Sequence, residues 1–240
     1  MGKKANENIE DIEASRAPLI SHLIELRDRL KWAVAFFFIS FCFCYYFATD
    51  IYNFLVAPLY DIYLEKGIEN PRMIYTALTE AFFTFLKVAF YGALFISFPI
   101  IAMQIYKFAA PGLYQDEKQA FLPFLIATPV LFGLGASLVY YFIFPLAWRF
   151  FLGFQTSTVE AGMSIELEAK VNEYLSLIMR LIFAFGISFQ LPILLNLLAR
   201  IGVVNSQYLK NTRRYVIVII FTLAAILTPP DPITQVGLAI

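Results

Sequence analysis

The stretch "PLISHLIELRDRLKWAVAFFF", residues 18–38, changes character at Lys31. Up to that residue it is charged and amphipathic, and beyond it the chain is almost purely apolar. Glu25 and Arg29 have the i, i+4 spacing of a surface ion pair, which stabilises a helix by a few tenths of a kcal/mol. Leucines spaced four, three and four residues apart form one apolar helix face: Leu19, Leu23, Leu26 and Leu30. The stretch therefore predicts a charged helix that leads directly into a membrane span.

The composition supports a membrane protein. The chain has 240 residues, of which 60% are hydrophobic and 15% are charged. Ordinary soluble domains have about 45–50% apolar and about 25% charged residues. The net charge is zero, so nothing suggests a nucleic-acid partner.

Apolar runs long enough to cross a bilayer define the domain organisation. A membrane helix needs about 20 mostly apolar residues. The third run, at about 121–144, ends at Pro145, and the fourth, at about 174–199, contains Pro192. The fifth, at about 215–227, would be only about 20 Å long as a helix with a rise of 1.5 Å per residue. The fifth is therefore either a short span or a re-entrant segment. We expect a mobile polar tail over 1–17 and a single helical transmembrane domain over 18–240, with spans at about 32–48, 82–106, 121–144, 174–199 and 215–227 and the start of a sixth at 233–240.

The distribution of Lys and Arg predicts the orientation, because cytoplasmic loops are enriched in these residues. Twelve of them lie in the N-terminal segment and the two even-numbered loops, whereas four lie in the loops 49–80 and 146–173. We therefore predict a multi-pass protein whose N-terminus is cytoplasmic.

The sequence lacks the residues that catalysis would need. His22 is the one histidine and precedes the first span, and no Cys, His and carboxylate spacing matches a metal site. We therefore predict that the chain is not an enzyme and has neither a metal nor a cofactor.

Several polar residues have two interpretations. The charges around Glu25 can be a surface ion pair with anchoring cations, and Glu117 can be a first-turn acid beside a helix dipole. Lys87 and Arg180 can extend towards the membrane surface. Gln190 lies deep in the fourth span, two residues before Pro192, and either bonds within this chain or faces a partner helix.

Five ordered blocks resemble the TatC family, the multispanning receptor of the twin-arginine protein translocase. They are "SHLIELRDRL" at 21–30, "FATDIYNFLVAPL" at 47–59, "FPIIAMQIYKFAAPGLYQDEK" at 98–118, "FAFGISFQLPI" at 183–193 and "LTPPDPITQ" at 227–235. The resemblance covers essentially residues 18–240. It implies an all-α polytopic fold with six helices, of which the fifth and sixth are short.

The resemblance also implies a function. TatC proteins bind the twin-arginine signal peptides of folded precursors and, with the single-span TatA and TatB proteins, export them across the inner membrane of prokaryotes using the proton-motive force. Glu25 and Glu117 match the carboxylates expected to hold the two signal arginines, since a carboxylate accepts a guanidinium as a bidentate fork. Arg27, Phe108 and Pro58 match further family positions tied to signal binding or receptor integrity.

Other expectations follow from the same blocks. Gln190 and Pro192 would form a docking position for a TatA or TatB helix, and self-association and contact with membrane lipid are expected. The turn before the sixth helix would contain Pro229, Pro230, Asp231 and Gln235.

Two features depart from the family pattern. Gln190 occupies a position where the family often has glutamate, which puts a proton-carrying role in doubt. The sequence ends at Ile240, so the sixth helix is expected to be truncated. The alternative function is a small-solute transporter or channel, which would need a polar path with paired charges across the midplane, and a structural scaffold is the third possibility.

Overall fold

The computed structural model describes residues 2–68, 71–109, 122–155, 167–200, 204–228 and 231–239. In these ranges the chain is helical and contains no β-strand, apart from an isolated β-bridge between Ile74 and Lys170. The helices are α1 (Gly2–Tyr46), α2 (Ala48–Glu65), α3 (Glu80–Ala109), α4 (Leu122–Leu138), a π-helical turn (Val139–Ile143), α5 (Phe144–Leu152), α6 (Val171–Ser188), α7 (Leu191–Arg200), α8 (Ser206–Leu227) and α9 (Pro232–Ala239). The predicted all-α fold is confirmed.

Four stretches within the described residues are long and apolar enough to cross a membrane. They are Ile20–Tyr46, Glu80–Phe108, Leu125–Leu152 and Val171–Ala199, and they overlap the first four predicted spans. Helix α8 has 22 residues, but its first nine contain three cations, which leaves only 215–227 as an apolar run. A short fifth span therefore stays a prediction.

The first helix is longer than its predicted span. It begins at Gly2 and is continuous to Tyr46, so it includes the segment 2–17 for which the sequence predicts a mobile tail. Helical structure does not measure mobility, and the mobile tail stays a prediction.

The helix of the third predicted span does not end at Pro145. The helix axis continues through the π-helical turn into α5 and ends at Leu152. In this turn the Phe144 N–H donates to the carbonyl of Val139, five residues earlier. Pro145 then lies in the first turn of α5, where proline is tolerated because the missing N–H is not needed there.

Helices α1 and α3 pack antiparallel. Phe37 of α1 meets Phe90 of α3 edge to face, with ring centroids 5.3 Å apart. Small buried residues allow the two helices to approach where α1 ends: Cys44, Ala89 and Ala93. This pairing brings the last turn of α3 beside the middle of α1, and we call that region the Glu25 end of the bundle.

The main core lies at the opposite end, where α2, α5 and the start of α6 meet. An ion pair between Arg149 and Glu65, with a closest N–O distance of 2.9 Å, joins α5 to α2. The largest fully buried side chains of this core include Phe144, Leu59, Leu152, Leu175 and Ile178. We call this region the Arg149 end.

Helices α4 and α6 cross closely at two glycines. A Cβ atom added to Gly135 would lie 2.8 Å from the carbonyl oxygen of Phe185, and one added to Gly186 would lie 2.5 Å from the Phe132 ring. Real Cβ atoms do not approach other atoms so closely, so this crossing requires glycine at both positions.

Candidate functional site

The Glu25 end contains a compact charged cluster on the face of α1 that meets α3. The Glu25 carboxylate lies between Arg29, one turn later, and His22, one turn earlier. The His22 ring stacks on Phe108 in the last turn of α3, with centroids 4.1 Å apart and planes inclined by 15°. The structure therefore brings Glu25 and Phe108, both predicted site residues, together through His22.

The two oxygens of Glu25 have different surroundings. The Arg29 Nε donates to Oε1 at 3.0 Å, and the Arg29 Nη2 contacts the same Oε1. Oε2 faces the His22 Nδ1 at 3.7 Å, which is longer than a hydrogen bond. The Glu25 side chain is 34% exposed. A solvent-accessible carboxylate with one weakly engaged oxygen can accept a further cationic donor.

Arg27 belongs to a separate, more exposed cluster on α1. Its Nε donates to Asp28 Oδ1 at 3.0 Å, and the Lys31 Nζ lies 3.4 Å from the same oxygen. The structure therefore does not bring Arg27 to Glu25. The second predicted carboxylate, Glu117, lies outside the described residues.

Pro58 is far from this cluster. It lies inside α2, which follows the end of α1, and the 21 residues from Glu25 to Tyr46 span about 32 Å of helix. Because proline has no N–H, the Phe54 carbonyl lacks its usual helical donor. The Tyr140 hydroxyl supplies one at 2.7 Å, and its ring stacks on Phe54 with centroids 4.4 Å apart. These contacts fit the receptor-integrity role that the resemblance allows for Pro58.

Gln190 lies at the break between α6 and α7, and Pro192 is in the first turn of α7. The Gln190 Nε2 donates to the Thr128 carbonyl at 3.0 Å, and the Thr128 hydroxyl donates to the Tyr106 hydroxyl at 3.2 Å. This arrangement connects three helical segments. The Gln190 Oε1 is buried and has no hydrogen-bond partner among the described residues. The Gln190 amide nitrogen thus bonds within the chain, which was one of the two interpretations. Its amide oxygen makes no hydrogen bond among the described residues.

The predicted turn before the last helix is built around Asp231. Its side chain is 1% exposed and accepts hydrogen bonds from the Thr234 N–H at 2.7 Å and the Thr234 hydroxyl at 2.6 Å. The Gln235 N–H donates to the Asp231 carbonyl at 3.3 Å. Asp231 is therefore the N-cap of α9. Pro229 and Pro230 lie outside the described residues.

Sequence reasoning missed several residues of these sites, among them Thr234, Tyr140 and Thr128. Thr234 was detectable, because an Asp three residues before a Thr at a helix start is a capping pattern. Tyr140 and Thr128 had no such signal, because their partners are 86 and 62 residues away in the chain. Within the described ranges, no three His, Cys, Asp or Glu side chains are grouped to hold a metal ion.

Long apolar helices with charged clusters at their ends define a polytopic α-helical membrane protein. The family model of the Sec-independent protein translocase protein (TatC) matches residues 21–240, and the chain belongs to this family. The resemblance found in the sequence is therefore confirmed. The family consists of membrane components of a protein translocase, not of enzymes, which agrees with the prediction of no catalysis and favours protein transport over solute transport.

Relatives and solved structures agree on this family. The TatC protein of Magnetococcus marinus is 53% identical over 96% of this chain and 81% of its own length. The TatC protein of Escherichia coli K12 is 36% identical over 97% of this chain and 85% of its own length. A crystal structure of the twin-arginine translocase receptor TatC superposes with a TM-score of 0.75 at 36% identity, covering 91% of both chains. A second structure, of the same receptor in DDM, gives a TM-score of 0.77 and covers 91% of this chain and 92% of the other.

Proposed function

We propose that this chain is the signal receptor of a twin-arginine translocase and that Glu25 and Glu117 hold the two arginines of the signal peptide. The observation that carries the proposal is the accessible Glu25 carboxylate, which already engages the guanidinium of Arg29 in this structure. The same chemistry can recognise a guanidinium supplied by a peptide, because a carboxylate and a guanidinium match as a two-pronged pair.

The proposed orientation places the N-terminus and the Glu25 end in the cytoplasm, at the plasma membrane of a prokaryote. The excess of Lys and Arg, twelve against four, supports this orientation. The stacking of His22 on Phe108 is consistent with it, because charge counting assigned both segments to the same side.

The proposed partners are the single-span TatA and TatB proteins, a second copy of this chain and membrane lipid. Export of folded precursors would be driven by the proton-motive force. Gln190 is the proposed docking position, since its Oε1 is an unused acceptor within the described residues. A partner helix could donate a hydrogen bond to this oxygen only after the side chains that bury it move aside.

Peptide binding to the purified chain in detergent tests the receptor function. We expect a twin-arginine peptide to bind more tightly than its Lys-Lys variant, because lysine cannot form the fork. Glu25→Gln and Glu117→Ala should each weaken binding by about 1–3 kcal/mol, the range for hydrogen bonds to charged groups. Asp28→Asn is the matched control, since Asp28 is an exposed acid on the same helix. Equal binding of both peptides by the parent chain would contradict the proposal, and is the result expected of a solute transporter or a scaffold.

A further inference from the structure

We infer that Lys87 and Arg180 bind the phosphate headgroup of an anionic phospholipid on the seam between α3 and α6, towards the Arg149 end of the bundle. Both side chains are exposed, and neither forms an ion pair with a described residue. The inference goes beyond the proposed receptor function, because the ligand is a lipid and the two residues are remote from the Glu25 end.

Two contacts show how α3 and α6 lie against each other. The Lys87 Nζ donates to the Asn172 Oδ1 at 2.7 Å, in the first turn of α6. Further along, the Tyr91 ring meets the Phe183 ring edge to face, with centroids 5.3 Å apart. The two helices therefore run in the same direction from the Arg149 end, and Lys87 lies one turn before the second contact.

Arg180 lies on the same seam. Asn172, Ser176 and Arg180 are spaced four residues apart, so they follow one another along one face of α6. The Ser176 hydroxyl lies 3.5 Å from the Asn172 Oδ1, the oxygen to which Lys87 also donates. Lys87 therefore contacts one end of a polar stripe on α6, and Arg180 is its other end, three residues before Phe183.

No described carboxylate neutralises either cation. The Glu173 carboxylate is paired with Lys170 at 3.6 Å, and the Glu80 carboxylate accepts hydrogen bonds from backbone N–H groups on both sides of the seam. Lys87 donates to a neutral amide, and Arg180 has no hydrogen bond within the described ranges. A cation beside the hydrocarbon region is costly without a counter-ion, so the seam is completed by an anion.

The surroundings favour a lipid over a free anion or a carboxylate on another helix. Side chains on a helix lean towards its N-terminus, so both cations extend towards the membrane surface at the Arg149 end, where the candidate span of α6 begins. Apolar side chains follow in the opposite direction. Phe90 is three residues beyond Lys87 and 45% exposed, and Ile187 is two turns beyond Arg180 and 55% exposed. Cations at the surface and exposed apolar side chains beneath them match the headgroup and acyl chains of a phospholipid.

Lipid binding to the full chain in detergent tests the inference. Native mass spectrometry compares the binding of phosphatidylglycerol with that of phosphatidylcholine, which has the same phosphate but also an ammonium that two cations repel. We expect a preference for phosphatidylglycerol of about five- to twentyfold, since each cation near a membrane surface contributes about fivefold to the attraction of anionic lipid. Arg180→Gln and Lys87→Gln should each lower this preference by about two- to fivefold. Arg180→Lys keeps the charge and should lower it less.

Lys66→Gln is the matched control, because it removes an exposed cation from the same end of the bundle but from the end of α2. It should leave the lipid preference unchanged. An equal loss in Lys66→Gln would overturn the inference, since the preference would then depend only on the net charge of the chain. An unchanged preference in both Lys87→Gln and Arg180→Gln would also overturn it.

Two further measurements distinguish the other sources of an anion. Glycerol phosphate, which has the headgroup chemistry but no acyl chains, should not compete with phosphatidylglycerol, and competition would indicate a site for a free anion instead. If Arg180→Gln reduces crosslinking to a single-span partner but keeps the lipid preference, the anion is a carboxylate of that partner and the lipid site is wrong. If Arg180→Gln does not fold, Arg180→Lys and Lys87→Gln decide.

Discussion

The Tyr140 hydroxyl donates a 2.7 Å hydrogen bond to the Phe54 carbonyl, the group that Pro58 leaves without a helical donor. The bond connects α2 to the π-helical turn that joins α4 to α5, just before Pro145. Nearby, the buried Tyr174 hydroxyl donates to the Leu55 carbonyl at 3.1 Å. Tyr140 and Tyr174, from different helical segments, thus donate hydrogen bonds to two consecutive carbonyls of α2.

Removal of the Tyr140 hydroxyl should destabilise the protein. We expect Tyr140→Phe to lower the free energy of unfolding by about 1–3 kcal/mol, because the Phe54 carbonyl loses its donor. Thermal unfolding in detergent measures the effect. Tyr141→Phe is the control, since that side chain is 64% exposed. In a Pro58→Ala background the loss should shrink, because the alanine N–H restores a donor. Equal losses in both backgrounds would contradict this account of Pro58.

The crossing of α4 and α6 should tolerate no added methyl group. Gly186→Ala places a Cβ atom 2.5 Å from the Phe132 ring, which already stacks on Phe98 at 4.0 Å and has little room to move. We expect a cost of about 1–3 kcal/mol in unfolding free energy. Gly133→Ala, where nothing lies within 4 Å, should instead be neutral or stabilise by about 0.5–1 kcal/mol. Similar melting temperatures for the two variants would argue against the close crossing.

The N-cap of α9 should be sensitive to the loss of its carboxylate. Asp231→Ala removes the acceptor of both Thr234 hydrogen bonds, and we expect it to cost about 1–2 kcal/mol. Asp231→Asn keeps one side-chain oxygen and should cost less. The control is Asp61→Ala, at an exposed acid of α2, which should change stability by no more than about 0.5 kcal/mol. Thermal unfolding of the three variants distinguishes a cap from a dispensable acid.

Substitutions at Gln190 should affect both its internal hydrogen bond and partner docking. Gln190→Leu loses the bond to the Thr128 carbonyl and also the Oε1 acceptor proposed for a partner helix, so it should lower partner occupancy modestly, since membrane-embedded hydrogen bonds average about 0.6 kcal/mol. Gln190→Glu should be tolerated when protonated, because a carboxylic acid both donates and accepts. Gln190→Lys should be worst, because it adds a charge without a counter-ion.

Site-specific crosslinking from position 190, with and without the single-span partner, measures this occupancy. A crosslink to lipid alone, or equal transport by the leucine and lysine variants, would show that Gln190 serves only the internal bond to Thr128.

Local sequence features predicted much of the fold. The first four apolar runs overlap the four candidate spans of the described residues, because the bilayer thickness sets the length that a hydrophobic segment needs. The exception was Pro145, which ends an α-helix in isolation but not after a π-helical turn. Such a turn leaves no sequence signal, because it depends on the packing of the surrounding helices.

The candidate site was predictable only in part. The i, i+4 spacing predicted the pair of Glu25 with Arg29, and the structure contains it. The separation of Arg27 from Glu25 also follows from spacing, because residues two apart on a helix point in different directions. The contact of His22 with Phe108 joins residues 86 positions apart, and the bond of Gln190 to Thr128 joins residues 62 positions apart.

The sequence by itself determined the membrane class, the approximate positions of four candidate spans and the candidate carboxylate on α1, because hydropathy, charge and helical spacing are local properties. The tertiary structure decided which side chains from distant parts of the chain meet: His22 against Phe108, Gln190 on the Thr128 carbonyl, and Tyr140 on the carbonyl freed by Pro58. The physical reason is that helix packing, through contacts such as those at Gly135 and Gly186, sets the depth and rotation of each helix, and local sequence carries no record of either.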